Sequence, residues 1–149
     1  MLNSDEDIIR GLGFVALFAA YLEEQIENLR SMLGPIEAVT ERESKWPISK
    51  KIDKIKTILQ NFDFETRDEL LASLAACEQL FDQRNEVIHG RIYATFDRED
   101  TLKSGRPFVP ERQVKAQELY ELANNLQAIR GEIIRPMLFK MPRAVAGRK

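Results

Sequence analysis

The chain has few of the residues that cross-link small proteins or bind metals. Its 149 residues include one cysteine and one histidine. A single cysteine, Cys77, excludes an internal disulfide, and one cysteine with one histidine is too few for a zinc site built on those residue types. We therefore expect no metal, no cofactor and a cytoplasmic location, with Cys77 as a small core residue.

Long apolar runs are also missing. The most apolar stretch, residues 12–22, is too short to cross a bilayer, and Glu23 and Glu24 follow it directly. Residues 5–7 are all acidic, whereas a secretory signal begins with basic residues. These features predict neither membrane insertion nor export.

No excess of one charge sign is present either. The formal net charge is −2, which argues against a generally cationic surface for nucleic acid but leaves room for a local basic site. The composition, with 44% hydrophobic and 31% charged residues, is that of a folded globular protein. A chain of this length predicts one domain with a substantial core.

Apolar residues that recur every three or four positions predict four main helices. Ser4 is a suitable N-cap for the first helix, and Gly34-Pro35 should end it after about Leu33. The second helix is expected over residues 48–62. Residues 66–69, Thr-Arg-Asp-Glu, match a capping box for the third helix. Pro110 suits the first turn of the fourth, and Pro136 should kink or end that helix.

Each predicted helix carries an apolar stripe. The first has Phe14, Leu17, Phe18, Tyr21, Leu29 and Leu33; the second has Ile48, Ile52, Ile55, Leu59 and Phe62; the fourth has Leu119, Leu122, Leu126, Ile129 and Ile133. The first helix is apolar on nearly all sides, which indicates burial on more than one side. We expect another subunit to cover its second side.

Helical periodicity fails over residues 91–110, where a loose β-hairpin or an ordered loop is expected. The predicted fold is therefore all-α, with four main helices in an up-down bundle and a loop or short hairpin between helices three and four. Residues 1–139 form the predicted domain. Residues 140–149 form a basic C-terminal tail containing Lys140, Arg143, Arg148 and Lys149.

The segment that bears on function is Arg84-Asn85-Glu86-Val87-Ile88-His89-Gly90, near the end of the third helix. The stripe of that helix, Leu70, Leu74, Cys77 and Phe81, continues to Arg84, so a guanidinium stands where periodicity calls for an apolar residue. Asn85 and His89 are four residues apart and share a helix face, whereas Arg84 is about 140° from His89 around the axis. Gly90 fits a left-handed C-cap.

These residues supply chemistry suited to phosphodiesters. Arginine stabilises phosphate charge through a planar set of donors, and histidine transfers protons near neutral pH. The segment resembles the R-x4-6-H motif of the HEPN (higher eukaryotes and prokaryotes nucleotide-binding) superfamily. The motif lies near the end of the third of four main helices, and this placement also fits that family.

The resemblance implies an all-α homodimer that is a metal-independent endoribonuclease, with the motifs of two protomers meeting at a shared cleft. Arg84 would bind the scissile phosphate. His89 would act as general acid or base while the RNA 2′-hydroxyl attacks, which leaves a cyclic phosphate. Asn85 would orient His89 or contact phosphate. A toxin–antitoxin or antiviral role, with an antitoxin or other regulatory protein as partner, is implied in the same way.

Some family members carry a tyrosine two residues after the histidine, where a partner enzyme modifies it. Here that residue is Arg91, and the nearest tyrosine is Tyr93, so this regulation is not expected. Arg91 would instead add a phosphate contact. The lysines of the second helix, among them Lys50, Lys51 and Lys54, form either a solvated surface or an RNA-facing patch.

Two other interpretations stay open. The chain is either a catalytically silent HEPN-like module that dimerises and binds nucleotide, RNA or a protein partner, or a helical interaction subunit in which Arg84 and His89 are structural. One argument for the active dimer is independent of the resemblance. A single imidazole does not easily serve as both acid and base in one turnover, and a symmetric dimer supplies two.

Overall fold

The computed structural model describes residues 7–95, 98–105, 107–139 and 141–146. They are mostly helical, with a small antiparallel sheet between the third and fourth long helices. The helices are α1 (Ile8–Met32), α2 (Ile48–Gln60), α3 (Arg67–His89), α4 (Ala116–Phe139) and α5 (Met141–Ala146), with a 3-10 turn at Glu41–Lys45. The strands are β1 (Arg91–Thr95), β2 (Arg98–Lys103) and β3 (Arg112–Gln113). The broadly all-α class is confirmed; the up-down order of the helices stays a prediction.

The chain divides into two compact units. The first contains the segment up to Ala20 together with Gln79–Gln127, and the second contains Tyr21–Glu78 together with the segment from Ala128 onward. The single domain expected over residues 1–139 stays a prediction. Among the described residues, no helix combines the length and apolarity that crossing a membrane requires.

In the first unit, Asp7 caps α1, because its Oδ1 atom accepts a hydrogen bond of 2.8 Å from the backbone N–H of Ile9. The expected cap, Ser4, lies outside the described residues. Gly11 lets α1 approach α4 closely, since a Cβ at this glycine would lie 2.9 Å from Cβ of Leu119. The core of this unit includes Val15, Ala19, Phe81, Val87, Leu102, Val114, Leu119, Leu122 and Leu126.

The excursion after α3 is a hairpin with one added strand. β1 and β2 pair antiparallel through Arg91↔Lys103 and Ile92↔Leu102, with an irregularity between Tyr93 and Thr95. β3 adds to β2 through Thr101↔Gln113. This confirms the hairpin alternative. The start predicted for the fourth helix at Pro110 was wrong, because β3 intervenes and α4 begins at Ala116.

The second unit has its own apolar core. Its buried side chains include Leu22, Ile26, Leu29, Leu33, Ile52, Ile55, Leu59, Phe62, Leu70, Leu74, Cys77, Ile133, Met137 and Met141. Burial raises the pKa of the Cys77 thiol to about 12, and the nearby Glu132 and Glu78 carboxylates add to the shift. Cys77 is therefore a core residue, as expected. The apolar stripes predicted for α2 and α4 are confirmed, apart from Ile48, which is half-buried.

Two local predictions in α1 and α3 need correction. The buried face of α1 is Val15, Ala19, Leu22, Ile26, Leu29 and Leu33. Leu17 and Tyr21, placed on the core stripe from the sequence, are 44% and 41% exposed. The capping box at the start of α3 was also wrong, because the buried hydroxyl oxygen of Thr66 has no hydrogen-bond partner. α3 nevertheless begins at Arg67.

The C-terminal stretch contains more structure than a basic tail implies. Pro136 lies in the last turn of α4, so the helix ends close to the position predicted. Met141–Ala146 then form α5, and Met141 is completely buried. Arg143 lies on α5, whereas Lys140, Arg148 and Lys149 are outside the described residues.

Candidate functional site

The last two turns of α3 hold the Arg-Asn-His segment. Val87 anchors these turns because its side chain is buried. Arg84 and Asn85 are half-buried, and His89, the last residue of the helix, is exposed. An exposed imidazole at a helix end is accessible to a ligand. A general acid or base must be accessible in this way.

Arg84 lies against Phe81, one turn earlier on α3. Its guanidinium carbon is 5.4 Å from the centroid of the Phe81 ring, a cation–π arrangement, and its Nε atom is buried. The sequence periodicity places Arg84 on the apolar stripe of α3. This placement is confirmed, because the Arg84 side chain packs on Phe81, an aromatic core residue.

Asn85 and His89 line an open cleft of about 560 Å³. One wall is α3, and the other is the segment that follows β2. The lining residues are Asp82, Gln83, Asn85, Glu86, His89, Ser104, Gly105 and Val109. Arg84 is not among the described residues that line the cleft. The structure thus brings Asn85 and His89 to one cleft, as their spacing predicts, and leaves Arg84 out of it.

Two glycines shape this cleft. The sequence predicted a left-handed conformation for Gly90, but its φ is not positive, so that prediction was wrong. Gly90 is required for close packing instead: a Cβ there would lie 2.5 Å from Cδ1 of Leu102 and 2.7 Å from the carbonyl oxygen of Glu86. A Cβ at Gly105 would lie 3.2 Å from the carbonyl oxygen of His89. The hairpin therefore packs directly against the end of α3.

An ion-pair cluster, Glu86–Arg112–Glu118, supports the cleft wall. The Nε atom of Arg112 donates to Glu86 at 2.8 Å, and its Nη2 and Nη1 atoms donate to Glu118 at 2.6 and 3.0 Å. The hydrogen bonds to Glu118, and then the one to Glu86, hold the pKa of Arg112 above its usual range. Arg112 offsets the charge of Glu86 beside His89. Sequence reasoning missed this residue, because the cluster joins α3, β3 and α4 and no local pattern signals it.

The remaining predicted RNA contacts lie on other elements. Arg91 is exposed at the first position of β1. The lysines of α2 belong to the second unit. Lys51 forms an ion pair with Glu27, Lys54 forms one with Glu37, and Lys50 lies over the Trp46 ring at 4.4 Å. Two of the three lysines thus already have carboxylate partners, which suits a surface role. Their contact with RNA stays a prediction.

Phe108 is a second residue that sequence reasoning missed. It has a φ of 68° and a fully exposed side chain, and it directly precedes Val109 of the cleft lining. Left-handed backbone is rare for a bulky residue and concentrates at binding sites. The sequence offered a partial signal, since Pro107 and Pro110 mark this stretch as a constrained loop.

Comparisons with protein-family models, curated proteins and solved structures gave no match to this chain. Among the described residues, no group of three or more His, Cys, Asp or Glu side chains is arranged to hold a metal ion. Any functional inference therefore depends on the residues of the cleft and on the motif they form.

Proposed function

We propose that this protein is a metal-independent endoribonuclease of the HEPN type, acting in the cytoplasm as a homodimer of up-down helical bundles. The supporting observation is the end of α3, where Asn85 and the exposed imidazole of His89 line one cleft. Arg84 is little more than one turn earlier on the same helix. A role in toxin–antitoxin or antiviral defence, with an antitoxin or other regulatory partner, is part of this proposal.

The proposed reaction uses only groups of the protein and the RNA. His89 accepts the proton of the ribose 2′-hydroxyl, whose oxygen then attacks the adjacent phosphorus, and an imidazolium protonates the departing 5′-oxygen. Arg84 stabilises the charge that develops on the phosphate oxygens. Asn85 orients the imidazole from the same helix face. The product is a 2′,3′-cyclic phosphate, and DNA is not cleaved because it lacks the attacking hydroxyl.

The geometry of one chain supports the proposal of a dimer. Arg84 lies against Phe81, whereas His89 lines the cleft, so the guanidinium and the imidazole of one protomer do not line the same cleft. The chain also has a single imidazole. A two-fold axis beside the ends of two α3 helices would bring two imidazoles and two guanidinium groups to one shared site.

The test is cleavage of single-stranded RNA in the presence of a chelator. We expect the wild-type protein to cleave with cyclic-phosphate ends, and Arg84→Ala and His89→Ala to lose at least about 100-fold in rate. The exposed His89 should be replaced with no change in melting temperature, whereas Arg84→Ala should stay folded with a lower melting temperature because its contact with Phe81 is lost. Arg42→Ala, which removes an exposed arginine of the 3-10 turn, is the matched control and should retain full activity. Full activity of His89→Ala would refute the proposal.

One observation favours a different function. Asp82 and Glu86 line the cleft beside His89, and carboxylates repel phosphate. The second candidate is a catalytically silent HEPN-like module that dimerises and binds nucleotide, RNA or a protein partner, and of these ligands a protein partner fits the acidic lining best. Under the same conditions it would bind ligand without any cleavage by the wild-type protein, and Arg84→Ala would change binding alone.

A further inference from the structure

Phe108 lies in the loop between β2 and β3, where its side chain contributes no apolar burial to folding. The ring is fully exposed, so it buries no apolar surface, and its φ of 68° places a bulky residue in left-handed backbone. Both features are unfavourable for the isolated chain. A residue with this combination is best explained by a ligand that it contacts.

The surroundings of Phe108 point to the cleft. Ser104, Gly105 and Val109 of the same loop line the cleft that contains His89. Pro107 and Pro110 flank the ring on either side, and proline restricts its own φ and the conformation of the residue before it. Phe108 is therefore adjacent in the chain to Val109 of the cleft lining, within a loop whose backbone two prolines restrict.

We propose that Phe108 stacks on an unpaired nucleobase of RNA beside the His89 cleft, so that the substrate is single-stranded RNA. This inference depends on the proposed function and adds the side chain that selects an unpaired base. An aromatic face stacks on any base that is free of a duplex. Gln83, Asn85 and Asp82 of the cleft lining offer donors and acceptors to the ribose or the base edge.

The size of the exposed apolar surface favours a base over a protein partner. One phenylalanine buries at most about 250 Å². A stable protein interface buries about 1,200 Å² or more in total. Phe108 and the partly exposed Val109 fall well short of that, whereas stacking of a single base needs one ring only.

The experiment uses a single-stranded 2′-O-methyl RNA carrying 2-aminopurine, which the proposed reaction cannot cleave because the attacking hydroxyl is blocked. We expect the full-length wild-type chain to bind it and to quench the 2-aminopurine fluorescence by stacking. Phe108→Leu keeps an apolar side chain without an aromatic face, and should lose the quenching and about 10-fold in affinity. Phe108→Tyr should restore both, and melting temperatures should stay equal.

Several outcomes would overturn the inference. Equal affinity and quenching for Phe108→Leu and wild type would do so, as would equally tight, Phe108-dependent binding of the matching duplex. A loss of dimer in Phe108→Leu with unchanged RNA binding would assign the ring to a protein interface. Failure of the proposed function looks different: unmodified RNA would stay uncleaved while Phe108-dependent quenching persisted.

Discussion

Arg30 and Glu43 illustrate, at the scale of single residues, how the second unit keeps a charged pair in its interior. Their side chains are 5% and 7% exposed, and the guanidinium donates to both carboxylate oxygens at 2.7 and 3.0 Å. The remaining donors reach the carbonyl oxygens of Glu37 at 2.8 Å and Ala38 at 3.2 Å. Because every charge has partners, the pair fixes the chain after α1 without leaving a buried ion unsatisfied.

Removing one member of this pair should destabilise the fold. Glu43→Gln leaves the Arg30 charge without its counter-ion, and we expect a loss of about 3–5 kcal/mol in the free energy of unfolding by urea titration. The double variant Arg30→Met with Glu43→Leu should recover most of that loss. A loss below about 1 kcal/mol for Glu43→Gln would show that the pair contributes little.

The same pair sets a dependence on pH. Hydrogen bonding from Arg30 lowers the pKa of Glu43 below its ordinary value. The contribution of Glu43 to stability is therefore present above the usual glutamate pKa and is lost as the pH falls through the lowered value. Comparison of unfolding from neutral to acidic pH should show a smaller acid loss in Glu43→Gln than in the wild type.

At the scale of elements, the contact that builds the site is the packing of the β1–β2 hairpin on the end of α3. Gly90 allows it, since a Cβ there would meet both the side chain of Leu102 and the backbone of Glu86. The Glu86–Arg112–Glu118 cluster adds a second link from β3 to α3 and α4. The cleft wall is thus held at two points.

Gly90→Ala should therefore destabilise the protein. A methyl group 2.7 Å from a backbone oxygen cannot be accommodated by a side-chain rotation, and we expect a loss of about 1–3 kcal/mol in urea unfolding. Gly131→Ala is the matched control. Its Cβ would meet nothing within 4 Å inside α4, so alanine should stabilise that helix by about 0.5–1 kcal/mol. Equal effects of the two substitutions would contradict this packing.

The helices and strands also differ in how well the sequence alone predicts them. The α2 and α4 stripes followed from periodicity because each helix has one apolar face. α1 is apolar on nearly all sides, so periodicity did not fix its orientation, and Val15 rather than Leu17 turned inward. β3 is two residues long and depends on pairing with Thr101, a contact that no local pattern encodes.

For the candidate site, the sequence predicted the helix face shared by Asn85 and His89, because a four-residue spacing on a helix requires it. The second wall of the cleft could not be predicted. Gly105 and Val109 reach it through the course of the loop between β2 and β3, which depends on tertiary packing. Arg112 and Phe108 were missed for the same reason.

At the scale of the whole molecule, the proposed reaction needs groups from two chains at one site. Each chain carries one imidazole, and within a chain Arg84 and His89 face different surroundings. If two imidazoles act as acid and base, a dimer with one intact His89 loses most of its activity. If each chain works alone, the same dimer keeps half.

The most direct measurement is RNA cleavage by a purified heterodimer of wild-type and His89→Ala chains, obtained by co-expression with two different tags. The wild-type homodimer carrying the same tags is the reference. We expect the heterodimer to retain less than about a tenth of the reference rate, because one of the two proton-transfer groups is missing. A heterodimer that retains about half of the reference rate would show that each chain works alone.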